Sequence, residues 1–222
     1  MTDDTSPKCI IFDCDGTLVD SEEITNEIIA EMAGELGVKM TGEEATATFR
    51  GKTISAVIKK MKELSDKEIP EDWRPRLIKK VSVAWRTQLI AVEGVEELLG
   101  SLEIPVCVAS NGEPTHINQS LEMTGLCDFF DGNIFSAADI GIPKPDPDLF
   151  LYAAEKMGFK PEECVVVEDS VTGVTAAKRA NMKVYGFVNS RTIGHMSSAK
   201  ELENAGAISF TSMRKLPALL GI

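Results

Sequence analysis

Polar side chains follow directly after three apolar runs of this sequence. The polar segments are Asp13-Cys14-Asp15, Ser110-Asn111-Gly112 and Glu168-Asp169. Each preceding run is short and almost uninterrupted, which is typical of a strand buried on both faces. Because the carboxyl ends of parallel strands meet at one crevice where ligands bind, we expect these polar groups to share a single site.

Carboxylates gathered in this way repel one another, so we expect a cation among them. The four carboxylates are Asp13, Asp15, Glu168 and Asp169. Hard oxygen ligands suit Mg²⁺, and Mg²⁺ in turn favours phosphate chemistry. The sequence therefore predicts a magnesium site and, with it, phosphoryl transfer.

Phosphoryl transfer needs an in-line nucleophile, a proton donor for the leaving oxygen and cations on the equatorial oxygens. Asp13 and Asp15 can divide the first two tasks. Lys144 adds a compact positive charge, and Ser110 with nearby backbone N–H groups adds neutral donors. Any one of these residues alone is more often a turn, cap or loop residue. The functional interpretation depends on their joint placement at strand ends.

Strand and helix patterns alternate over most of the chain. Beyond the three runs above, strands are predicted at Val184–Phe187 and Ala207–Phe210, and amphipathic helices lie between the strands. One of these helices covers Val171–Ala180, with Ser170 as its N-cap. The alternation predicts an α/β fold whose core is a Rossmann-like, doubly wound parallel sheet covered by helices on both sides.

Residues 22–92 interrupt that alternation. Apolar residues at helical spacing mark three helices there, around Ile24–Leu36, Ile54–Met61 and Leu77–Trp85, without a strand pattern between them. We expect residues 1–21 and 93–222 to form the α/β core domain and residues 22–92 to form a helical domain inserted into it.

The charge of the chain limits its partners. Its 222 residues include 23 Lys and Arg against 35 Asp and Glu, a net charge of −12. Such an acidic chain is unsuited to binding nucleic acid or anionic membrane surfaces. It begins without a signal-peptide pattern and contains no apolar run of transmembrane length. We expect a cytoplasmic monomer that binds a small molecule, with no nucleic acid and no membrane as partner.

The polar segments also resemble the motifs of the haloacid dehalogenase superfamily. Asp13–Thr17 is similar to the first motif, DxDGT, and Ser110-Asn111-Gly112 to the second. Lys144 in KPDP matches the third motif, and Glu168-Asp169-Ser170 with Gly173 matches the fourth. The resemblance covers the whole chain, including a helical cap, and is strongest to the phosphatases related to β-phosphoglucomutase.

The resemblance implies a role for each motif residue. Asp13 would attack phosphorus and carry a phospho-aspartate, while Asp15 would protonate the leaving alcohol and then activate water. The residues implied in phosphate or substrate binding are Thr17, Ser110, Asn111, Gly112 and Lys144. Mg²⁺ would be held by Asp13, the carbonyl of Asp15 and Asp169, with Glu168 close by or acting through water. Family members often have a cis bond between the motif Lys and its Pro, here Lys144-Pro145.

Substrate specificity would come from the cap. Arg50 and Lys52 occupy the place of a cap loop that faces the active site in relatives, and they are candidates for contacting an anionic substrate. The alternative is that both are solvated surface charges. The resemblance implies an Mg²⁺-dependent phosphatase whose substrate is a small sugar phosphate or related phosphomonoester, with 6-phosphogluconate among the candidates.

Two other functions remain open. A β-phosphoglucomutase-like mutase is disfavoured because those enzymes carry a His twelve residues after the nucleophile, where this chain has Thr25. A non-catalytic binding protein on the same fold is expected to lack a motif residue, and none is missing.

Overall fold

Two units of different architecture make up the chain. The computed structural model describes residues 6–49, 52, 54–189 and 197–222. One unit, which we call the α/β unit, consists of Met1–Val19 and Ala91–Ile222. The other, which we call the helical unit, consists of Asp20–Ile90.

The α/β unit is built on a six-stranded parallel sheet. Its strands are β1 (Cys9–Phe12), β2 (Val106–Ser110), β3 (Ile134–Ser136), β4 (Cys164–Glu168), β5 (Lys183–Phe187) and β6 (Ile208–Phe210). The strand order is β3-β2-β1-β4-β5-β6. The chain therefore builds outward from β1 on one side and from β4 on the other, which is the doubly wound topology predicted from the sequence.

This strand order determines where a ligand can bind. The reversal of winding falls between β1 and β4, and in open α/β sheets the ligand crevice opens at the carboxyl ends of the strands at such a point. All residues of β1 and β4 are buried, as expected for strands covered by helices on both faces.

The sequence pattern predicts five of the six strands but not β3. Only Ile134 and Phe135 of this strand are apolar, and both are half-buried. A three-residue strand at the edge of a sheet carries too little apolar periodicity to be recognised.

The described residues of the helical unit form four helices. They are α1 (Glu22–Glu35), α2 (Gly42–Phe49), α3 (Ile54–Leu64) and α4 (Trp73–Gln88). Three of them were expected, and α2 was not. Its start is marked by a reciprocal cap, because the Thr41 N–H donates to Glu44 Oε2 at 2.8 Å and the Glu44 N–H donates to Thr41 Oγ1 at 3.1 Å. The Thr-x-x-Glu spacing was the available sequence signal.

The core of the helical unit centres on Trp73. This residue is fully buried among apolar side chains of α1, α2 and α3, and its indole N–H donates to the Met32 carbonyl at 3.3 Å. We expect Trp73→Ala to lower the free energy of unfolding by about 3–5 kcal/mol, because it leaves a large cavity. Urea unfolding would measure the change. Trp73→Phe, which loses the hydrogen bond but keeps most of the ring, should cost clearly less, and equal midpoints for wild type and Trp73→Ala would contradict the prediction.

Helices of the α/β unit flank the sheet. They are α5 (Val95–Ser101), α6 (Pro114–Met123), α7 (Ala137–Ile140), α8 (Asp148–Met157), α9 (Val171–Arg179), α10 (Ser197–Asn204) and α11 (Leu216–Leu220). The predicted cap at Ser170 is confirmed, since its side chain accepts from the Gly173 N–H at the start of α9. None of the helices in the described part of the chain combines the length and the hydropathy that a bilayer crossing requires.

Candidate active site

Polar residues meet where β1, β2 and β4 end. Asp13 directly follows β1, Ser110 is the last residue of β2, and Glu168 is the last residue of β4. Because β1 lies between the other two strands, these residues stand side by side at one edge of the sheet. All three are buried.

A buried ammonium group lies between two of the carboxylates. Lys144 Nζ donates to Asp13 Oδ1 at 2.6 Å and to Glu168 Oε1 at 2.9 Å, and the lysine side chain is only 3% exposed. Burial makes these attractions much stronger than in water, but it also costs each ion its hydration. Each carboxylate is therefore stabilised by the lysine, and the lysine is stabilised by both carboxylates.

The main chain at Lys144 is held by Asn111. The Lys144 N–H donates to Asn111 Oδ1 at 2.9 Å, and Asn111 Nδ2 donates to the Lys144 carbonyl at 3.3 Å. On the other side, Arg179 Nη1 donates to the Pro145 carbonyl at 3.0 Å. The Lys144-Pro145 bond is cis. The lysine loop is thus tied both to the end of β2 and to α9.

Both oxygens of Glu168 have protein partners. Oε1 accepts from Lys144, whereas Oε2 accepts from the Ser170 N–H at 2.7 Å and from Ser170 Oγ at 2.8 Å. Gly173 is packed so closely here that a Cβ at this position would overlap the Glu168 carboxylate. Ser170 and Gly173 therefore fix the orientation of the Glu168 carboxylate, so that its Oε1 faces Lys144.

Asp15 and Ser110 approach the same point from two strand ends. A Cβ at Gly112 would lie 3.3 Å from Ser110 Oγ and 3.7 Å from Asp15 Oδ2. The Gly112 N–H donates to Ser110 Oγ at 3.0 Å. Asp15 is half-buried, whereas Asp13 is buried.

Asp169 packs against the loop that follows β1. Gly16 has a φ of +84°, and a Cβ there would collide with the Asp169 carboxylate, so this position requires glycine for two reasons. Thr17 Oγ1 donates to Asp169 Oδ1 at 3.4 Å. Thr17 is fully buried, and its side chain contacts the Asp169 carboxylate. The phosphate-binding role expected for Thr17 stays a prediction.

The electrostatics of the site follow from this burial. Burial raises the pKa of Asp13 to about 7, with Glu168 and Asp15 adding to the rise and Lys144 opposing it. Burial lowers the pKa of Lys144, but Asp13 and Glu168 overcome that effect and raise it above its ordinary value. Lys144 is therefore a cation at neutral pH, and the surrounding carboxylates outnumber it.

The family model described as haloacid dehalogenase-like hydrolase matches residues 10–187, which include every strand end of the site. The chain belongs to the haloacid dehalogenase-like hydrolases.

Relatives of this haloacid dehalogenase-like chain include phosphatases. The 6-phosphogluconate phosphatase of Escherichia coli (strain K12) is 31% identical over 217 residues, which cover 96% of this chain and 94% of the relative. This haloacid dehalogenase-like enzyme is accordingly a hydrolase of phosphoric monoesters.

Two solved structures share its fold. A haloacid dehalogenase-like protein of unknown function from Agrobacterium tumefaciens str. C58 has a TM-score of 0.86 at 33% identity, covering 96% of this chain and 97% of that one. A haloacid dehalogenase family hydrolase from Deinococcus radiodurans R1, with bound phosphate and sodium, has a TM-score of 0.82 at 31% identity, covering 98% and 96%.

Most of the predicted site residues lie together in the α/β unit of this haloacid dehalogenase-like enzyme. These are Asp13, Asp15, Thr17, Ser110, Asn111, Gly112, Lys144, Glu168 and Asp169. Of the two cap candidates, Arg50 lies outside the described residues, and Lys52 is an exposed residue of the helical unit. The hydrogen bonds from Ser170 to Glu168 were not predicted. Their two-residue spacing is nevertheless typical of local hydrogen bonds between a polar side chain and a residue nearby in the chain.

The donors at this haloacid dehalogenase-like site fit a Mg²⁺ ion held by few side chains. Among the described residues, no group of three or more His, Cys, Asp or Glu is arranged so that it could hold a metal ion. Both oxygens of Glu168 accept hydrogen bonds from Lys144 and Ser170, and its expected place close to the metal or acting through water stays a prediction. The carboxylates of Asp13 and Asp169 and the carbonyl of Asp15 are hard oxygen donors of the kind that Mg²⁺ prefers, and Mg²⁺ typically uses one or two carboxylates and keeps several waters.

Proposed function

We propose that this enzyme is an Mg²⁺-dependent phosphatase that hydrolyses a small sugar phosphate or a related organic phosphomonoester. The observation that carries the proposal is the buried Lys144 ammonium between Asp13 and Glu168, with the half-buried Asp15 nearby. This arrangement combines a nucleophile, a cation for phosphoryl oxygens and a separate acid–base group. The similarity to a 6-phosphogluconate phosphatase supports it.

The proposed reaction has two steps. Asp13 attacks phosphorus while Asp15 donates a proton to the leaving oxygen, which releases the alcohol and leaves a phospho-aspartate. Asp15 then accepts a proton from water as that water attacks phosphorus, and cleavage of the bond to Asp13 releases inorganic phosphate. Lys144 and Ser110 would hold the phosphoryl oxygens in both steps.

A bound Mg²⁺ would supply positive charge to the transferring phosphoryl group. Asp13, Asp169 and the carbonyl of Asp15 would hold it, with Glu168 beside them. In this proposal, residues 1–21 and 93–222 form the catalytic core and residues 22–92 form a cap. In that cap, Arg50 and Lys52 would contact an anionic part of the substrate, and 6-phosphogluconate, which has a carboxylate as well as a phosphate, is a candidate.

A panel of phosphate esters assayed with Mg²⁺ and with EDTA tests this function. We expect hydrolysis of at least one sugar phosphate with Mg²⁺, a loss of at least about 100-fold with EDTA, and recovery when Mg²⁺ is restored. Equal rates with Mg²⁺ and with EDTA would contradict the metal requirement. Failure to hydrolyse any ester would favour the non-catalytic binding protein.

The mutase alternative is disfavoured by the contacts of Thr25. Its hydroxyl donates to the Ser21 carbonyl at 2.8 Å and accepts from Trp85 Nε1 at 3.3 Å. A hydroxyl engaged in this way is a poor substitute for the histidine that handles sugar hydroxyls in the related mutases. Isotopically labelled phosphate from the substrate should therefore appear in inorganic phosphate, and its appearance in an isomeric sugar phosphate would establish the mutase.

A further inference from the structure

An aromatic ring covers one side of the Lys144 ammonium. The Phe150 ring centroid lies 4.7 Å from Lys144 Nζ. Phe150 is the third residue of α8 and is fully buried. The face of an aromatic ring attracts a cation, most strongly where water is excluded. The ring is therefore a third partner of the ammonium, beside Asp13 and Glu168.

These three partners differ in what the reaction does to them. In the proposed reaction, Asp13 changes from a carboxylate to an acyl phosphate and back. The negative charge next to Lys144 therefore moves from the Asp13 carboxylate to the phosphoryl oxygens and back. Glu168 and Phe150 form no bond to the substrate. The ring, in addition, holds the ammonium through a face that cannot take up or lose a proton.

We propose that Phe150 is a positioning residue for Lys144. Its ring face keeps the ammonium in place while the partner on the Asp13 side changes during turnover. This inference rests on the proposed phosphatase function.

Simple packing is the competing explanation. Phe150 belongs to an apolar cluster that includes Leu149, Ala153 and Val174, and a large truncation would disturb that cluster whatever its effect on Lys144. A test must therefore change the charge distribution of the ring while nearly preserving its shape.

Graded fluorination of the ring meets this requirement. Mono-, di- and trifluorophenylalanine would replace Phe150, each added fluorine drawing electron density from the ring face. Phe130 is the matched control, because it is equally buried and its ring packs against Phe12 at a centroid distance of 6.4 Å. We expect kcat to fall stepwise along the Phe150 series, by about ten-fold in total. Calorimetry with inorganic phosphate and Mg²⁺ should show binding weakening in the same order.

The Phe130 series should leave both quantities unchanged, and urea unfolding would confirm that each variant is folded. Unchanged kcat and phosphate binding along the Phe150 series would overturn the positioning role, as would equal slopes in the two series. Failure of the proposed function is distinguishable, because the wild-type protein would then hydrolyse no ester. If it still binds phosphate, the binding series decides the role of Phe150, and a wild type that does neither overturns both proposals.

Discussion

Replacing Asp13 with asparagine should lower kcat by at least about a thousand-fold, because an amide cannot act as the attacking carboxylate. The protein should remain folded. Asparagine has nearly the same shape, and Lys144 keeps Glu168 as its ionic partner at 2.9 Å. Steady-state kinetics with the best ester and circular dichroism would measure the two properties.

Asp131→Asn is the matched control for this change. Asp131 is exposed and has a φ of +48°, a conformation that asparagine also tolerates. It should retain wild-type turnover. A folded Asp13→Asn protein with normal kcat would refute the assignment of Asp13 as the nucleophile.

Lys144→Met should cost both activity and stability. It removes the ammonium from between Asp13 and Glu168 and leaves two buried carboxylates facing each other. Breaking a buried ion pair by deleting one partner typically costs about 3–5 kcal/mol of unfolding free energy. We also expect kcat to fall by at least about a hundred-fold, because a cation on the phosphoryl oxygens is lost. Urea unfolding and ester hydrolysis would measure the two losses.

Added Mg²⁺ should restore part of the stability lost in Lys144→Met, since it offers the carboxylates another cation, but it should not restore the rate. Lys156→Met is the control, because this exposed lysine also lies over an aromatic ring, 5.2 Å from the centroid of Tyr152. It should change neither kcat nor the unfolding midpoint measurably. An unfolding curve of Lys144→Met that matches wild type would mean that the buried ion set contributes nothing to stability.

The sequence predicts which reactive side chains the backbone places close together, because the ends of the strands can be located from the apolar pattern. Asp13, Ser110 and Glu168 each stand where a buried run ends, and parallel pairing then places them at one edge. The same rule places Lys144 only in a loop. That its ammonium reaches Asp13, 131 positions away in the chain, depends on tertiary packing that no local pattern carries.

Side-chain hydrogen bonding was the harder part to predict. The amide of Asn111 pairs with the backbone of Lys144, a contact that the sequence pattern does not predict, while its expected contact with phosphate or substrate stays a prediction. An amide at a strand end can form hydrogen bonds with a ligand or with the backbone of a neighbouring loop. The position of that loop, which is set by tertiary packing, determines whether the second contact forms. Helix α2 and strand β3 were missed for another reason, since each buries few apolar residues.

The position of β1 in the sheet has a consequence for biosynthesis. β1 is translated first, yet its partners β2 and β4 begin only at Val106 and Cys164. The helical unit Asp20–Ile90, with its own apolar cluster, is translated before either partner exists. On the ribosome it can become ordered while β1 is still unpaired, and an unpaired apolar strand is prone to aggregation. The site around Asp13 can thus be completed only after residue 169 has left the exit tunnel, so a nascent chain that stalls earlier has an incomplete site and is exposed to mispairing.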